Sequence, residues 1–258
     1  MKIVTWNVNS LAVRLPRLVE FLELHEPDIV CLQETKSEAA AFPAGDLAAA
    51  GYRSVEHSAG RWAGVAILAR DDHSLGQSTV GLPGEVQTGE ARWVEATVDG
   101  LRVASAYVPN GRALDTPTFA EKLAFLDAMA ARVGELARAG EEIVVTGDLN
   151  VTRDDRDVWD PAAFAGSTHV TPDERTRVEA ILEAGDLVDA YRHVHPDARQ
   201  FTWWDYRQGH FHRGMGLRID YVLLSRTLAG RIERCGIERD FRKGVKPSDH
   251  APLMVELA

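Results

Sequence analysis

The chain has 258 residues, of which 45% are hydrophobic and 26% are charged, a balance typical of a globular protein with one sizeable core. Its formal net charge of −10 argues against a protein that coats nucleic acid through bulk charge, although a local basic face stays compatible with DNA binding. No apolar run approaches the roughly 20 residues of a membrane span. The first predicted strand leaves no room for a secretory signal, and Cys31 and Cys235 alone cannot form a disulfide framework. We therefore expect one domain over residues 1–258, a monomer, a cytoplasmic location and no membrane contact.

Apolar segments rich in β-branched residues predict most of the strands. These predicted strands span residues 2–8, 28–33, 52–57, 63–70, 92–98, 101–108, 142–149, 217–225 and 251–257. The Asp99-Gly100 pair lies between two of them and predicts a hairpin turn.

Helical spacing of apolar residues predicts helices over residues 11–25, 118–139 and 172–183. The last of these begins with a capping box formed by Thr171 and Glu174. Residues 151–171 and 205–216 are polar and are expected to be loops. Since strands outnumber helices, we predict an α+β fold. It is a four-layer α/β sandwich in which two mixed, mainly antiparallel sheets pack face to face with helices on both outer sides.

One predicted strand ends on two hydrogen-bonding side chains. Residues 143–150 read Ile-Val-Val-Thr-Gly-Asp-Leu-Asn, so an apolar run ends with Asp148 and Asn150. Side chains alternate along an extended segment, and these two therefore point the same way. Gly147 allows a turn or a close approach of another backbone at this position. Taken alone, an Asp-x-Asn after a strand is more often a turn or a helix cap than a functional site.

The same pattern recurs at other strand ends, and recurrence favours a functional site over capping. The polar residues at these further ends are Asn7 and Asn9, Gln33, Glu34 and Lys36, Tyr107 and Asn110, Asp220, and Asp249 with His250. A rigid sheet edge that carries carboxylates, amides, a phenol and an imidazole can hold a catalytic arrangement.

This set of residues suggests phosphoester hydrolysis assisted by a hard metal ion. Mg²⁺ prefers oxygen ligands, usually one or two carboxylates with waters and phosphate oxygens, and Glu34 is a suitable ligand. Asp148 can orient or deprotonate water, while Asn150 holds that acid or the phosphate. His250, oriented by Asp220 or by Asp249, can stabilise charge on phosphate oxygens. The sequence shows no nucleophile elbow, Walker loop, dinucleotide fingerprint or zinc-spaced Cys/His set, so no covalent enzyme intermediate is expected.

The motifs resemble those of the exonuclease III family of abasic-site endonucleases, within the endonuclease/exonuclease/phosphatase superfamily. The resemblance runs in order through almost the whole chain. The motifs that carry it are Thr5-Trp-Asn-Val-Asn9, Leu32-Gln-Glu-Thr-Lys36, Tyr107-Val-Pro-Asn110, Gly147-Asp-Leu-Asn150, Leu217-Arg-Ile-Asp220 and Ser248-Asp-His250. Several are shared with deoxyribonuclease I-like enzymes and lipid or inositol phosphatases. The segment Phe201-Thr-Trp-Trp-Asp-Tyr-Arg207 is similar to the DNA-repair branch in particular.

The resemblance implies a role for each residue around the reacting phosphate. Glu34 binds Mg²⁺, with Mn²⁺ as a substitute, helped by Asn9 or Asp249 through water. Asp148 activates the attacking water. The positioning and phosphate-binding roles fall to Asn150, Asn7, Tyr107 and His250, the last oriented by Asp220.

The resemblance also implies the contacts with DNA. Asn110 and Arg112 touch the DNA backbone. Trp203, Trp204 and Leu217 form the wall that receives a base-free sugar, although alternation lets only one of the two tryptophans face it. A window from Arg199 to Arg218 is rich in basic residues, and we count Arg207 among the substrate-binding candidates.

The implied function is that of a Mg²⁺-dependent DNA repair nuclease, a phosphodiester hydrolase of the exodeoxyribonuclease III or AP endonuclease type. It cuts 5′ to abasic sites and has 3′–5′ exonuclease and 3′-phosphodiesterase or phosphatase activity. Its partner is double-stranded DNA with abasic sites or blocked 3′ ends. One alternative is a phosphatase or phosphodiesterase of the same fold that acts on small or lipid headgroup phosphates. A non-catalytic DNA-binding protein of this fold is a second alternative, disfavoured because each expected catalytic position holds a competent side chain.

Overall fold

The computed structural model describes residues 1–86 and 89–258. Within these residues the chain forms twelve strands. They are β1 (Lys2–Asn7), β2 (Ile29–Gln33), β3 (Tyr52–His57), β4 (Val65–Arg70), β5 (Leu75–Val80), β6 (Trp93–Val98), β7 (Leu101–Tyr107), β8 (Ile143–Asp148), β9 (Leu187–Asp189), β10 (Asp220–Ser225), β11 (Ile232–Ile237) and β12 (Leu253–Leu257).

The α-helices in the same described residues are α1 (Leu11–His25), α2 (Ala44–Ala49), α3 (Pro117–Arg138), α4 (Pro172–Gly185), α5 (Ala190–Val194), α6 (His210–Arg213) and α7 (Arg226–Ala229). The predicted capping box of α4 is confirmed, because the Thr171 hydroxyl accepts from the Glu174 backbone and the Glu174 carboxylate accepts from the Thr171 backbone. None of the described helices is both long and apolar enough to cross a lipid bilayer.

The strands form two six-stranded sheets with the same layout. The order is β11-β12-β1-β2-β4-β3 in the first sheet and β5-β6-β7-β8-β10-β9 in the second. Each sheet has one parallel pair at its centre, β1 with β2 and β7 with β8, and every other pair is antiparallel. The strands of a parallel pair end at the same edge, so each sheet presents two carboxyl-terminal strand ends side by side.

Three apolar clusters hold four layers together. One lies between the sheets and includes Ile3, Ile67, Val103 and Val222. A second packs α3 and α4 on the outer face of the second sheet, and a third packs α1 and α2 on the outer face of the first. The predicted four-layer sandwich of two mixed sheets is therefore confirmed. Cys31 and Cys235 are both buried and unpaired.

A buried polar link crosses between the two sheets near the site edge. Gln33 Nε2 donates to Ser105 Oγ at 3.0 Å, and that hydroxyl donates to the Leu32 carbonyl at 3.0 Å. Buried hydrogen bonds of this kind fix one register between the layers, since breaking them leaves unpaired polar groups in the core.

The predicted strands are all present, most of them trimmed by one to three residues at an end. Three of the strands were not predicted from the sequence, namely β5, β9 and β11. Each of them lies at the edge of a sheet. An edge strand pairs on one side only and needs less apolar surface. The exposed sequence Leu-Gly-Gln-Ser-Thr-Val of β5 shows why its pattern is weak.

Candidate active site

The side chain of Asn7 joins the two sheets at the edge where their parallel pairs end. Its Nδ2 donates to Glu34 Oε1 at 2.8 Å and to Asp148 Oδ2 at 2.9 Å. Asn7 ends β1 and Glu34 follows β2, whereas Asp148 ends β8 in the other sheet. Both hydrogens of this buried amide thus donate to carboxylates, and this fixes the distance between the Glu34 and Asp148 carboxylates.

Three neighbouring strands of the second sheet place a phenol and two acids side by side. In the pairing register, Tyr107 of β7 and Asp220 of β10 lie on either side of Asp148. Asp148 is buried, and its Oδ1 accepts from the Asn150 backbone N–H at 2.9 Å. Burial raises the pKa of Asp148 to about 7; the charges of Asp220 and Glu34 add to this rise, while His250 opposes it. A carboxylate with a pKa near neutrality is suited to act as a general base.

His250 lies between two acids. Its Nδ1 is 2.9 Å from Asp220 Oδ2, and its Nε2 is 3.7 Å from Asp148 Oδ2. Burial alone would lower the pKa of His250, but the charges of Asp220 and Asp148 outweigh it and raise the pKa to about 10. The ring is therefore an imidazolium at neutral pH. Of the two partners that the sequence left open, Asp220 is the one that contacts the ring.

Asp249 has other contacts. Its Oδ1 accepts from Asn9 Nδ2 at 2.9 Å and its Oδ2 accepts from Trp203 Nε1 at 3.0 Å. Asn9 Oδ1 accepts from Lys36 Nζ at 2.6 Å, and the same ammonium lies 2.7 Å from Glu34 Oε2. These contacts form a polar rim next to Glu34.

A metal ion could be held where the carboxylates meet. Glu34, Asp148 and His250 each offer one ligand-type atom, and these atoms lie within 4.8 Å of one another. The imidazolium form of His250 has no free lone pair, so the oxygens of Glu34 and Asp148 are the better donors. An all-oxygen, anionic donor set fits a hard divalent cation. The structure thus supports a candidate acidic metal site that includes Glu34.

Tyr107 lies between this cluster and a cation. The Arg92 guanidinium stacks 4.7 Å from the centre of the Tyr107 ring. Burial and the charges of Glu34 and Asp148 raise the pKa of Tyr107 well above its ordinary value. The phenol therefore keeps its proton and can donate it in a hydrogen bond.

A cavity of about 170 Å³ opens beside these residues. Trp203, Leu217 and Ile219 form its apolar side. The polar side is lined by Glu34, Tyr107, Asn110, Asp148, Asn150, His169, Asp249 and His250. Trp204 lies elsewhere, in a separate cluster with Phe211 and Ala251. Trp203 is thus the tryptophan that faces the cavity, and the structure does not place Trp204 in its wall.

A second cleft of about 480 Å³ shares Glu34, Tyr107 and Asn110 with the first cavity. Arg112 lines it together with the cationic side chains of Lys36 and Arg92 and the exposed ring of Trp62. Asn110 also joins the strand ends, because its Nδ2 donates to Asn150 Oδ1 at 3.2 Å.

The basic window from Arg199 to Arg218 does not form one free basic surface. Arg218 is fully buried and pairs with Asp157 and Asp189, at 2.7 and 2.9 Å. The expectation that Arg218 contributes to a basic face is therefore wrong. Arg207 is 83% exposed but pairs with Asp205, two residues away, and it lines neither cavity.

Sequence reasoning missed His169, which lines the catalytic cavity. Its Nδ1 lies 2.5 Å from the Asn150 carbonyl, and since a carbonyl only accepts, this nitrogen carries the proton. Burial, helped by the charge of Lys122, lowers the pKa of His169 to about 4, so the ring is neutral. A single histidine inside a long polar loop gives no pattern that would have singled it out.

Four residues at the sheet edge that carries the candidate site have strained backbone conformations. Asn9, Glu34, Lys36 and Asn150 have φ values of 45°, 52°, 51° and 52°, in the left-handed region that side chains disfavour. Such conformations cost on the order of 1–3 kcal/mol each and persist where surrounding contacts hold them.

Residues 4–250 match the endonuclease/exonuclease/phosphatase family. The match covers nearly the whole chain and includes the strand ends that build the cluster. The chain belongs to the endonuclease/exonuclease/phosphatase family.

Individual named relatives give a more specific comparison than the family match does. The chain is 31% identical over 272 aligned positions to exodeoxyribonuclease III of Haemophilus influenzae, covering 99% of both chains. It also resembles the 3′ phosphatase NExo from Neisseria bound to a product DNA hairpin, with a TM-score of 0.96 and 37% identity over 100% of this chain and 99% of that one. An AP endonuclease from Archaeoglobus fulgidus gives a TM-score of 0.94 and 34% identity over 100% of this chain and 99% of that one.

Proposed function

We propose that this DNA repair nuclease uses Mg²⁺ to hydrolyse the phosphodiester 5′ to abasic sites in double-stranded DNA, and that it also removes nucleotides or blocking groups from 3′ ends. The chain is a hydrolase whose relatives are named exodeoxyribonuclease III, AP endonuclease and 3′ phosphatase. The observation that carries the proposal is the meeting of Glu34, Asp148 and the Asp220-bound His250 beside a small cavity with one apolar side.

Glu34 would hold the metal ion, and Asp148 offers a second carboxylate oxygen within 4.8 Å of the Glu34 donor atom. Asn9 and Asp249 lie behind Glu34 and would act through water. When bound, Mg²⁺, or Mn²⁺ in its place, would neutralise charge on the phosphate oxygens.

The protein groups divide the chemistry between them. Asp148 would take a proton from the attacking water, for which a pKa of about 7 is well placed. The His250 imidazolium would donate to a phosphate oxygen as negative charge develops, because Asp220 holds its ring and its proton. Water would attack phosphorus directly and the 3′ oxygen of the upstream nucleotide would leave.

Neutral donors would orient the phosphate and the water. Asn7 fixes Asp148 against Glu34, and Asn150 fixes it from the backbone side. The protonated phenol of Tyr107 would donate to a phosphate oxygen. Asn110 and Arg112, which line the neighbouring cleft, would contact the flanking backbone. Arg207 would contact DNA only after leaving Asp205, and for Trp204 we propose no contact.

The cavity supports a base-free sugar as the unit that enters it. Its volume of about 170 Å³ lies below the roughly 300–1,000 Å³ of pockets that take drug-sized ligands. Trp203 and Leu217 supply an apolar wall against which the less polar face of a deoxyribose can lie. Extruding a sugar without a base costs less than extruding a paired nucleotide, since less stacking is lost.

The relatives do not favour a phosphatase of small or lipid headgroup phosphates. A single domain, a monomer and a cytoplasmic location stay predictions.

Incubation with a 5′-labelled duplex that carries one abasic analogue tests the proposal. Incision at the 5′ side of the analogue in Mg²⁺, none in EDTA and none in the matched undamaged duplex are expected. A second duplex with a recessed 3′-phosphate should lose that phosphate. Hydrolysis of small phosphoesters without attack on either duplex would overturn the proposal in favour of the phosphatase alternative.

A further inference from the structure

A buried ion pair lies behind the catalytic cluster and is not part of it. Lys122 of α3 and Glu174 of α4 are both fully buried, and the Lys122 ammonium donates to Glu174 Oε1. The pair joins two helices on the outer face of the second sheet. Its remaining contacts go to the loops that line the catalytic cavity.

The Lys122 ammonium also donates hydrogen bonds to the two loops that follow β7 and β8. Its Nζ lies 2.7 Å from the Asn150 carbonyl, 3.1 Å from the Asn110 carbonyl and 2.9 Å from Thr168 Oγ1. Together with Glu174 these are four acceptors around an ammonium that has three hydrogens, so every hydrogen has an acceptor. One side chain thereby fixes the loops after β7 and β8 relative to each other.

The contact with Asn150 leads directly to the proposed base. Asn150 has φ at 52°, and its backbone N–H donates to Asp148 Oδ1 at 2.9 Å. Its carbonyl accepts from both Lys122 Nζ and His169 Nδ1. These two donors hold the left-handed backbone at Asn150, and that backbone in turn orients the Asp148 carboxylate.

Glu174 holds the far end of the loop that follows β8, just before α4. Its Oε1 accepts from Thr168 Oγ1 at 2.7 Å and from the His169 backbone N–H at 2.8 Å. Its Oε2 accepts from the Thr171 hydroxyl at 2.7 Å. The loop that carries His169 into the cavity wall is therefore anchored to the same ion pair.

The stability of the contact between α3 and α4 does not by itself require a charged pair. Removing two ions from water is so costly that an apolar pair of similar size often packs equally well or better. The contacts with the loops explain the charged pair better, since an apolar side chain at position 122 would remove one of the two hydrogen bonds that each of the Asn110 and Asn150 carbonyls accepts.

We propose that Lys122 and Glu174 are positioning residues, which hold the loops at Asn110, Asn150 and His169 so that Asp148 is oriented for hydrolysis. The inference rests on the proposed function of Asp148 as the base. Neither residue touches the reacting atoms, so each acts through the groups it holds.

The test compares Lys122→Met and Glu174→Gln with a matched control, Arg132→Met. Arg132 also lies on α3 and pairs with a fully buried acid, Glu95, but it contacts no residue of the cavity. Single-turnover incision of the abasic duplex, its KM and the thermal midpoint are measured for each variant. Both positioning variants should lower the single-turnover rate by roughly 30- to 100-fold, the size of effect expected from a small misplacement of a catalytic group, with KM within about threefold.

Arg132→Met should lose thermal stability but keep a rate within about threefold of the parent. Rates of Lys122→Met and Glu174→Gln that stay within threefold of this control overturn the inference. If Lys122→Met does not fold, Glu174→Gln decides alone, because it keeps the size and one oxygen of the original side chain. Normal turnover of Asp148→Asn would instead defeat the proposed function, so the two failures are distinguishable.

Discussion

Nε2 of His250 lies 3.7 Å from Oδ2 of Asp148, so an imidazolium and a buried carboxylate with a raised pKa face each other in one site. The proposed mechanism needs His250 protonated and Asp148 ionised. The attraction between them favours that charge state, because each charge stabilises the other.

The pH dependence of kcat/KM follows from this pair. Activity should rise with pH as Asp148 ionises near pH 7, and should fall as His250 loses its proton near pH 10. Asp220→Asn removes the largest charge that raises the pKa of His250, so the alkaline limb should move to lower pH. A bound cation at Glu34 favours ionised Asp148, and the acid limb should therefore move down as Mg²⁺ is raised. The profile is measured from pH 5 to 11 beside Asp99→Asn, which removes an acid at the other end of β7; identical alkaline limbs in all three proteins would contradict the assignment.

Asp148→Asn should leave a site that binds but does not cut. The amide keeps the size of the side chain and cannot accept a proton from water, so kcat should fall by roughly 10²–10⁴-fold. Binding of the abasic duplex, measured by fluorescence anisotropy, should change by less than about threefold. Asp186→Asn, at an exposed acid paired with Arg226, is the control. Near-normal turnover of the Asp148 variant would exclude it as the base.

Glu34→Ala should raise the Mg²⁺ concentration needed for half-maximal incision by at least about tenfold, because the best-placed oxygen ligand is lost. Saturating metal should then restore part of the activity. The titration is repeated with Glu38→Ala, an exposed acid four residues further along the chain. A metal titration that coincides with this control would refute the ligand role.

Trp203→Ala should weaken the selection of abasic sites. The lost apolar contact is worth about 1.5 kcal/mol, which corresponds to roughly a tenfold rise in KM for the abasic duplex. Removal of a 3′-phosphate should change less, since it does not depend on a sugar held against that wall. Trp204→Phe alters the buried indole outside the cavity and should leave KM near the parent value. Equal KM changes in the two variants would argue against a wall function of Trp203.

Gly147→Ala tests the close approach of β7 and β8. Gly147 has φ at 141°, and a Cβ atom there would lie 2.0 Å from the Ala106 carbonyl oxygen. Strain and clash together should lower the free energy of unfolding by roughly 3 kcal/mol. Gly100 also has positive φ, at 85°, but a Cβ there meets nothing within 4 Å, so Gly100→Ala should cost only about 1 kcal/mol. Chemical denaturation of both variants measures the difference.

The strand ends were predictable because each follows a buried, β-branched run that sets its own secondary structure. Asp148, Glu34 and Asn7 could be placed at a sheet edge on that ground. The residues alone could not choose between Asp220 and Asp249 as the partner of His250, and only the family resemblance implied Asp220. The choice depends on how the segment before β12 meets β10 of the other sheet, a contact that is set by tertiary packing.

For a related reason, the sequence did not predict that Lys122, Glu174 and His169 lie at or behind the site. Glu174 reads as the acid of a capping box, which it is, and Lys122 reads as a solvated position on a long helix. Their second role appears only when α3, α4 and two loops meet. The burial of Arg218 could not be predicted for the same reason. Its acidic partners, Asp157 and Asp189, lie far away in the sequence.

The hydrogen bond from Gln33 to Ser105 crosses the interior just behind the reactive groups, and Asn7 crosses again at the rim. Each sheet contributes part of the proposed site, so we expect no partial activity from a molecule in which only one sheet has formed. Sliding of one layer against the other would separate Glu34, the proposed metal ligand, from Asp148, the proposed base, before it exposed much of the core. Catalysis should therefore vanish in step with the first loosening of the sandwich.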